Sequence, residues 1–189
     1  MSNDSPTTPA HPELAETKPE PQRRHSLSVL LVVGIGTFLT ALAGSTINLG
    51  LPELSREYEA GLVESRWVIQ SFMLTVGVLL LIAGRAADIF GHRRLYLIGF
   101  SLFGVASLAC GMAPSFSMLI VFRILQGVGS AMVMATGPAL LTTNVPKSRR
   151  GQSLGLLSTA TYLGLTAGPP LGGVLVAMGG WRWTFFLTV

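Results

Sequence analysis

Charged residues in this chain fall in short clusters, and the apolar runs between them are longer than a soluble fold uses. Leu27 to Leu51 carries no charge, and neither does Trp67 to Ala83 or the 28 residues from Leu95 to Phe122. About 20 such residues carry a helix across the hydrocarbon of a bilayer. The runs predict spans at about 27–51, 67–84, 95–112, 116–144 and 152–178, with 183–189 as the start of a sixth. Two of these divisions rest on proline. Pro114, between Ala113 and Ser115, splits the 28-residue run, because a turn there fits better than one over-long helix. Pro52 is expected to close the first span, since a helix interior does not take it without strain.

The connectors carry the charge. Gly84 to Arg94, reading GRAADIFGHRR, packs Arg85, Asp88, His92, Arg93 and Arg94 between two apolar runs and is expected to form a loop at the membrane surface. Glu53 to Arg66 holds four acids against two bases and is expected to be a loop on the opposite side. Lys147, Arg149 and Arg150 make a further basic connector. Sorted by side, nine of the Lys and Arg residues fall with the amino terminus and the Gly84–Arg94 segment, and three (Arg56, Arg66 and Arg182) fall opposite. Short loops retained in the cytoplasm carry the excess of positive charge. The amino terminus and the Gly84–Arg94 segment are therefore expected to be cytoplasmic.

Composition agrees with an all-α polytopic bundle. Hydrophobic residues make up 49% and charged residues 12%, about half the usual charged share. Residues 1–26 are the exception: rich in Pro, Ser, Thr, Glu and His, they are expected to be a disordered cytoplasmic tail. The net charge of +4 follows topology and marks no nucleic-acid-binding face. The single Cys110 lies in an apolar run and cannot close an intramolecular disulfide. His11, His25 and His92 fall in the tail and a connector, so neither a metal site nor a catalytic nucleophile can be assembled, and an enzyme is not expected.

One charge lies inside a span. An arginine such as Arg123 costs about 2.5–3.5 kcal/mol at the centre of a span on insertion scales, and a polar group placed there is functional by default. The alternative is a long side chain snorkelling from a position near the helix end, since Phe116 is only seven residues back. Gln126, Gly127, Gly129 and Ser130 follow it, and the two glycines suit close helix packing better than phosphate binding. Further on, Gly155, Gly164, Gly168, Pro169, Pro170, Gly172 and Gly173 crowd the fifth span. Small residues four apart flatten a helix face, and the prolines free carbonyls and bend the axis.

Three of these stretches resemble signatures of the major facilitator superfamily. Gly84, Asp88, Gly91 and Arg93 resemble its loop between the second and third spans, and the resemblance implies a gating role for them. Ile89 and His92 stand where that loop is usually basic. The stretch from Arg123 to Ser130 resembles the fourth-span motif, which implies that Arg123 takes part in proton coupling. The GLTAGPPLGG segment with Gly155 resembles the fifth-span motif of the antiporter branch, implying control of closure or leakage of a central pathway. TINLGLP (Thr46 to Pro52) and WRWTFF (Trp181 to Phe186) look like segments of the larger, fourteen-span drug:proton antiporters. That group often has an acid shortly before its first-span asparagine, whereas Leu42, Ala43 and Gly44 supply none.

What the resemblance implies is the amino-terminal half of a major facilitator fold, with five complete spans and the start of a sixth. The function it implies is export of small molecules or drugs by proton-coupled antiport. A proton gradient is then the energy source, with no bound cofactor. The expected partners are the lipid bilayer, a small-molecule substrate and a carboxy-terminal half beyond Val189; the expected location is the plasma membrane, most simply a bacterial inner membrane. Asn48 and Gln70 are candidate pathway-lining side chains. The alternative is a membrane scaffold or assembly subunit, or a fragment that does not transport, in which the same glycines only join helices.

Overall fold

The computed structural model describes residues 20–189, with side chains from Ser28 onward except that of Leu62. In chain order the helices are α1 (Glu20–Ser45), α2 (Leu51–Glu57), α3 (Leu62–Ser65), α4 (Trp67–Phe90), α5 (His92–Gly111), α6 (Phe116–Asn144), α7 (Arg150–Gly179) and α8 (Trp183–Phe186). A 3-10 turn, Thr46–Gly50, joins α1 to α2. Five segments are long and apolar enough to cross a membrane: Ser28–Glu57, Val63–Phe90, His92–Gly111, Phe116–Asn144 and Lys147–Gly179. Lipid offers no partners for backbone N–H and C=O groups, and helices satisfy theirs internally. Most of the expected tail, residues 1–19, lies outside the described residues, while residues 20–26 already belong to α1.

Two expectations about connectors fail. The Gly84–Arg94 segment is not a loop: α4 runs through it to Phe90, and α5 begins at His92. Charge at a membrane surface does not unwind a helix, and Arg85, Ala86 and Ala87 are good helix formers. The whole reversal falls on Gly91, whose φ of 91° suits glycine alone. Pro52 likewise does not end a helix. It stands in the first turn of α2, where its missing N–H would have no helical partner anyway. Consequently the expected Glu53–Arg66 loop is largely α2 and α3, with a short turn between them.

α6 occupies the middle, packed against α4 and α5 and also touching α1 and α7; α1 and α7 form the other tight pair. Glycine sets these distances. Gly129 lies so close to α5 that a Cβ there would meet Gly99 O at 2.6 Å and Phe103 N at 2.6 Å. On α7, Gly164, Gly168 and Gly172 form one stripe against α1 and the turn that follows it. A Cβ on Gly164 would stand 2.6 Å from Phe38 O, while one on Gly168 or Gly172 would run into Ser45 or the Thr46 carbonyl. Ser45 Oγ also lies 3.3 Å from Gly164 O, a hydrogen bond between the two helices. This is the small-residue packing that holds helices together where no hydrophobic effect separates helix from lipid.

Two apolar clusters fill the ends of the bundle. Val33, Tyr96, Val133, Leu141 and Leu157 gather at the end holding the Gly91 reversal. Ile47, Leu54, Val68, Cys110, Ala113, Leu119, Trp181 and Phe185 gather at the other. Polar contacts at that second end tie three connections together. Tyr58 donates to Ala113 O at 2.8 Å. The backbone N–H of Trp181 donates to Glu53 Oε2 at 3.2 Å, and its indole Nε1 to Glu57 Oε2 at 2.6 Å. Arg182 grips the same carboxylate with Nη1 at 2.7 Å and Nη2 at 2.6 Å, its guanidinium stacked 4.5 Å from the Trp181 ring centroid. The bond to Glu57 raises the Arg182 guanidinium above its ordinary, already high range.

Gly129→Val forces α5 and α6 apart and is expected to destabilise the protein by about 1–3 kcal/mol or more. Gly104→Ala, with open space around it, should be neutral or mildly stabilising. Thermal unfolding in detergent compares the two. Glu57→Gln keeps an acceptor for Trp181 but removes a part-exposed ion pair. It is expected to cost roughly 0.2–1 kcal/mol, with the difference shrinking as salt is raised.

Candidate functional site

Arg123 is 0% exposed, so it does not snorkel to the membrane surface. Two turns into α6 its side chain crosses to α4 and α1. Nε donates to Val68 O at 2.9 Å, and Nη1 to Ala43 O at 3.4 Å and to Gln126 Oε1 at 2.8 Å. The guanidinium lies 4.4 Å from the centroid of Phe72 and 5.5 Å from that of Phe185, two contacts in which cation–π attraction is strengthened by desolvation. Nη2 is buried without a hydrogen-bond partner. None of the ion pairs among the described residues involves Arg123. Carbonyls, an amide and two rings therefore hold a charge that arginine does not give up.

Gln126 extends the site. Being three residues on, it shares a helix face with Arg123, and its Nε2 donates to Ser107 Oγ at 2.7 Å on α5. Thr188, just past α8, donates to Phe185 O at 2.9 Å and stands 3.4 Å from Ser107 Oγ. Sequence reasoning missed Phe72, Ser107, Phe185 and Thr188. In an apolar run a lone serine or phenylalanine gives no signal, and only the helix packing shows what each faces.

The glycines of the fourth-span stretch are packing residues. A Cβ on Gly127 would stand 2.8 Å from Thr75 Cβ and 3.1 Å from Phe72 O, so Gly127 brings α4 close enough for Arg123 to reach Val68 O. In the fifth-span motif, Gly173 sits 3.1 Å from Leu49 Cδ1 by the same measure, whereas Gly155 is exposed with nothing near it. Pro169 and Pro170 lie within an uninterrupted α7.

At the opposite end, the four residues singled out around the reversal separate in role. Gly91 makes the turn. Gly84 sits in regular helix with open space at its Cβ position, so within the described residues nothing approaches it closely. Asp88 lies in the last turn of α4, its Oδ1 3.7 Å from His92 Nε2 across the turn. Arg93 is exposed in the first turn of α5. Asn48 and Gln70 are both exposed, Asn48 donating to Ser45 O at 2.9 Å. No group of three or more His, Cys, Asp or Glu that could hold a metal occurs among the described residues.

The chain is 37% identical over 167 residues to multidrug resistance protein Stp of Mycobacterium tuberculosis, a match covering 88% of this chain and 31% of that protein. It is 32% identical over 161 residues to riboflavin transporter RibZ of Clostridioides difficile, covering 85% of this chain and 35% of that one. Tetracenomycin C resistance and export protein of Streptomyces glaucescens is 31% identical over 186 residues, 97% of this chain and 35% of its own length. The chain thus spans about a third of the length of these curated relatives. In fold it is similar to a bacterial homologue of the human lysosomal transporter Spinster, solved inward-facing and occupied, with a TM-score of 0.77 at 18% identity over 90% of this chain and 42% of that one. The Major Facilitator Superfamily model matches residues 33–189, and the chain belongs to that family.

Proposed function

We propose that this chain is the amino-terminal part of an exporter that moves small molecules across a plasma membrane by proton-coupled antiport, and that Arg123 couples the proton to substrate. The observation that carries the proposal is the burial of Arg123 in carbonyls and aromatic rings with no carboxylate partner among the described residues. A permanent charge kept in that setting is a large local electrostatic source inside the bundle. Any proton or carboxylate moving near it must respond. Relatives named for multidrug resistance or for export of an antibiotic support the substrate class.

The remaining residues take their parts within that reading. Gly84 leaves a flat patch on α4, and with Asp88, Gly91 and Arg93 it gates the cytoplasmic end by docking against the second half of the transporter. Gly155, Gly164, Gly168, Pro169, Gly172 and Gly173 shape a fifth span that seals the pathway. Asn48 and Gln70, both exposed, line it.

Arg123→Ala in the full-length protein is expected to abolish efflux driven by a proton gradient while the protein still inserts. Transport of a substrate panel into everted vesicles, with and without an uncoupler, measures this; undiminished gradient-driven transport overturns the role of Arg123. A reporter fused after Arg94 is expected to remain cytoplasmic, and its export would reverse the proposed orientation.

A further inference from the structure

The buried chain Arg123–Gln126–Ser107 contains a decision about direction. A glutamine amide presents an oxygen on one side and an NH2 group on the other, and the two ends are nearly the same shape. If Gln126 turned its NH2 toward Arg123, two donors would face each other at 2.8 Å in a site closed to water, and Nη1 would keep only the long contact to Ala43 O. The donor-only guanidinium thus selects the amide oxygen, and something must anchor the NH2 end.

Ser107 does so through its own commitments. Its hydroxyl hydrogen goes to Phe103 O at 2.9 Å, one helical turn back on α5. With that hydrogen used, Ser107 Oγ is left as an acceptor toward Gln126, at 2.7 Å. Only the NH2 end of the amide can satisfy it, with Oε1 facing Arg123. Thr188 does not compete for this role, because its single hydrogen goes to Phe185 O at 2.9 Å and its contact with Ser107 is long. All three side chains of the relay are 0% exposed, so water has no route to relax a wrong orientation.

We propose that Ser107 is a positioning residue for transport: by anchoring the NH2 end of the Gln126 amide, it holds the Arg123 guanidinium in one pose. The inference rests on the coupling role proposed above for Arg123 and names the residue outside the fourth-span stretch on which that role depends. It places the control of Arg123 on a different helix, α5, so any shift between α5 and α6 alters the acceptor presented to the guanidinium.

The test uses the full-length protein, with Ser107→Ala, Gln126→Met and the double variant. Ser107→Ala is expected to lower gradient-driven efflux about tenfold, the change that one lost buried hydrogen bond produces, and to shift its pH profile. In the Gln126→Met background the same serine change is expected to add nothing, since there is no amide left to anchor. An unaltered pH profile in Ser107→Ala, or an effect that persists undiminished without Gln126, overturns the proposal. Ser107→Cys, close in size but a weak acceptor, should shift the profile in the same direction if the alanine variant fails to accumulate, and a wild-type profile there counts equally against it. Nitrogen-15 NMR separates this inference from the function it rests on. Distinct Nη signals from a restrained Arg123, identified by their loss in Arg123→Lys, are expected in the parent protein and should merge in Ser107→Ala. If the parent shows no gradient-driven efflux, the coupling role fails while this measurement still decides the positioning; unmerged signals in Ser107→Ala overturn it.

Discussion

The approach of α4 to α6 at Gly127 is the contact on which the rest of this bundle depends. A guanidinium in hydrocarbon must find acceptors within the protein, because lipid offers none. Arg123 finds Val68 O on α4 and Ala43 O on α1. Both are backbone groups on other helices, and side-chain length alone does not reach them unless the helices lie close. Gly127, with Thr75 and Phe72 O directly against it, provides that proximity. The glycines beside the arginine are thus the geometric condition for burying it.

The same logic runs through the α1–α7 pair. Gly164, Gly168 and Gly172 bring α7 against Phe38, Ser45 and Thr46, which fixes the later part of α1 next to α6 and so fixes Ala43 O beneath Arg123. A stripe on the fifth span therefore helps set one of the acceptors of a charge on the fourth. Chemically bland helix contacts and the buried charge of Arg123 form one system. This explains why Arg123 sits in a site built from three spans and closed over by Phe185 near the start of a fourth.

Much of this was legible in the sequence, and the parts that were not share a cause. Phe116–Asn144 emerged with the bounds that its turn residues indicate, because Pro114 and Ser115 before it and Pro146 after it are strong local signals. The glycines four apart on α7 likewise announced a packed face. GRAADIFGHRR misled because clustered charge says where a segment meets water and nothing about whether its backbone is helical there. Arg85 to Phe90 stay helical, and one residue, Gly91, makes the turn. Pro52 misled because a proline that ends one helix and a proline that opens the next look alike until the neighbouring turn is known. Ser107 left no trace, and Phe185 stood within WRWTFF without a role of its own, because their meaning depends on which helix lies opposite.

The two ends of the bundle are held together in different ways. At one end α4 and α5 are joined through Gly91 alone, with an exposed Asp88–His92 contact of 3.7 Å across the turn. Exposed pairs of that kind contribute little. At the other end Glu53, Glu57, Trp181 and Arg182 lock the first connection to the last, and Tyr58 adds the α5–α6 turn through Ala113 O. Trp181 itself is 1% exposed, so this lock includes a buried aromatic anchor as well as surface charge. The tryptophan end is thus cross-linked through its connections, whereas the Gly91 end is held between helices, by the Val33–Tyr96 cluster and the Tyr96 hydroxyl donating to Val32 O at 2.9 Å. Arg123 lies next to the cross-linked end, since Val68 and Phe185, which touch it, belong to the same apolar cluster as Trp181. The buried charge thus draws its acceptors from the helices that this cross-linked end holds together.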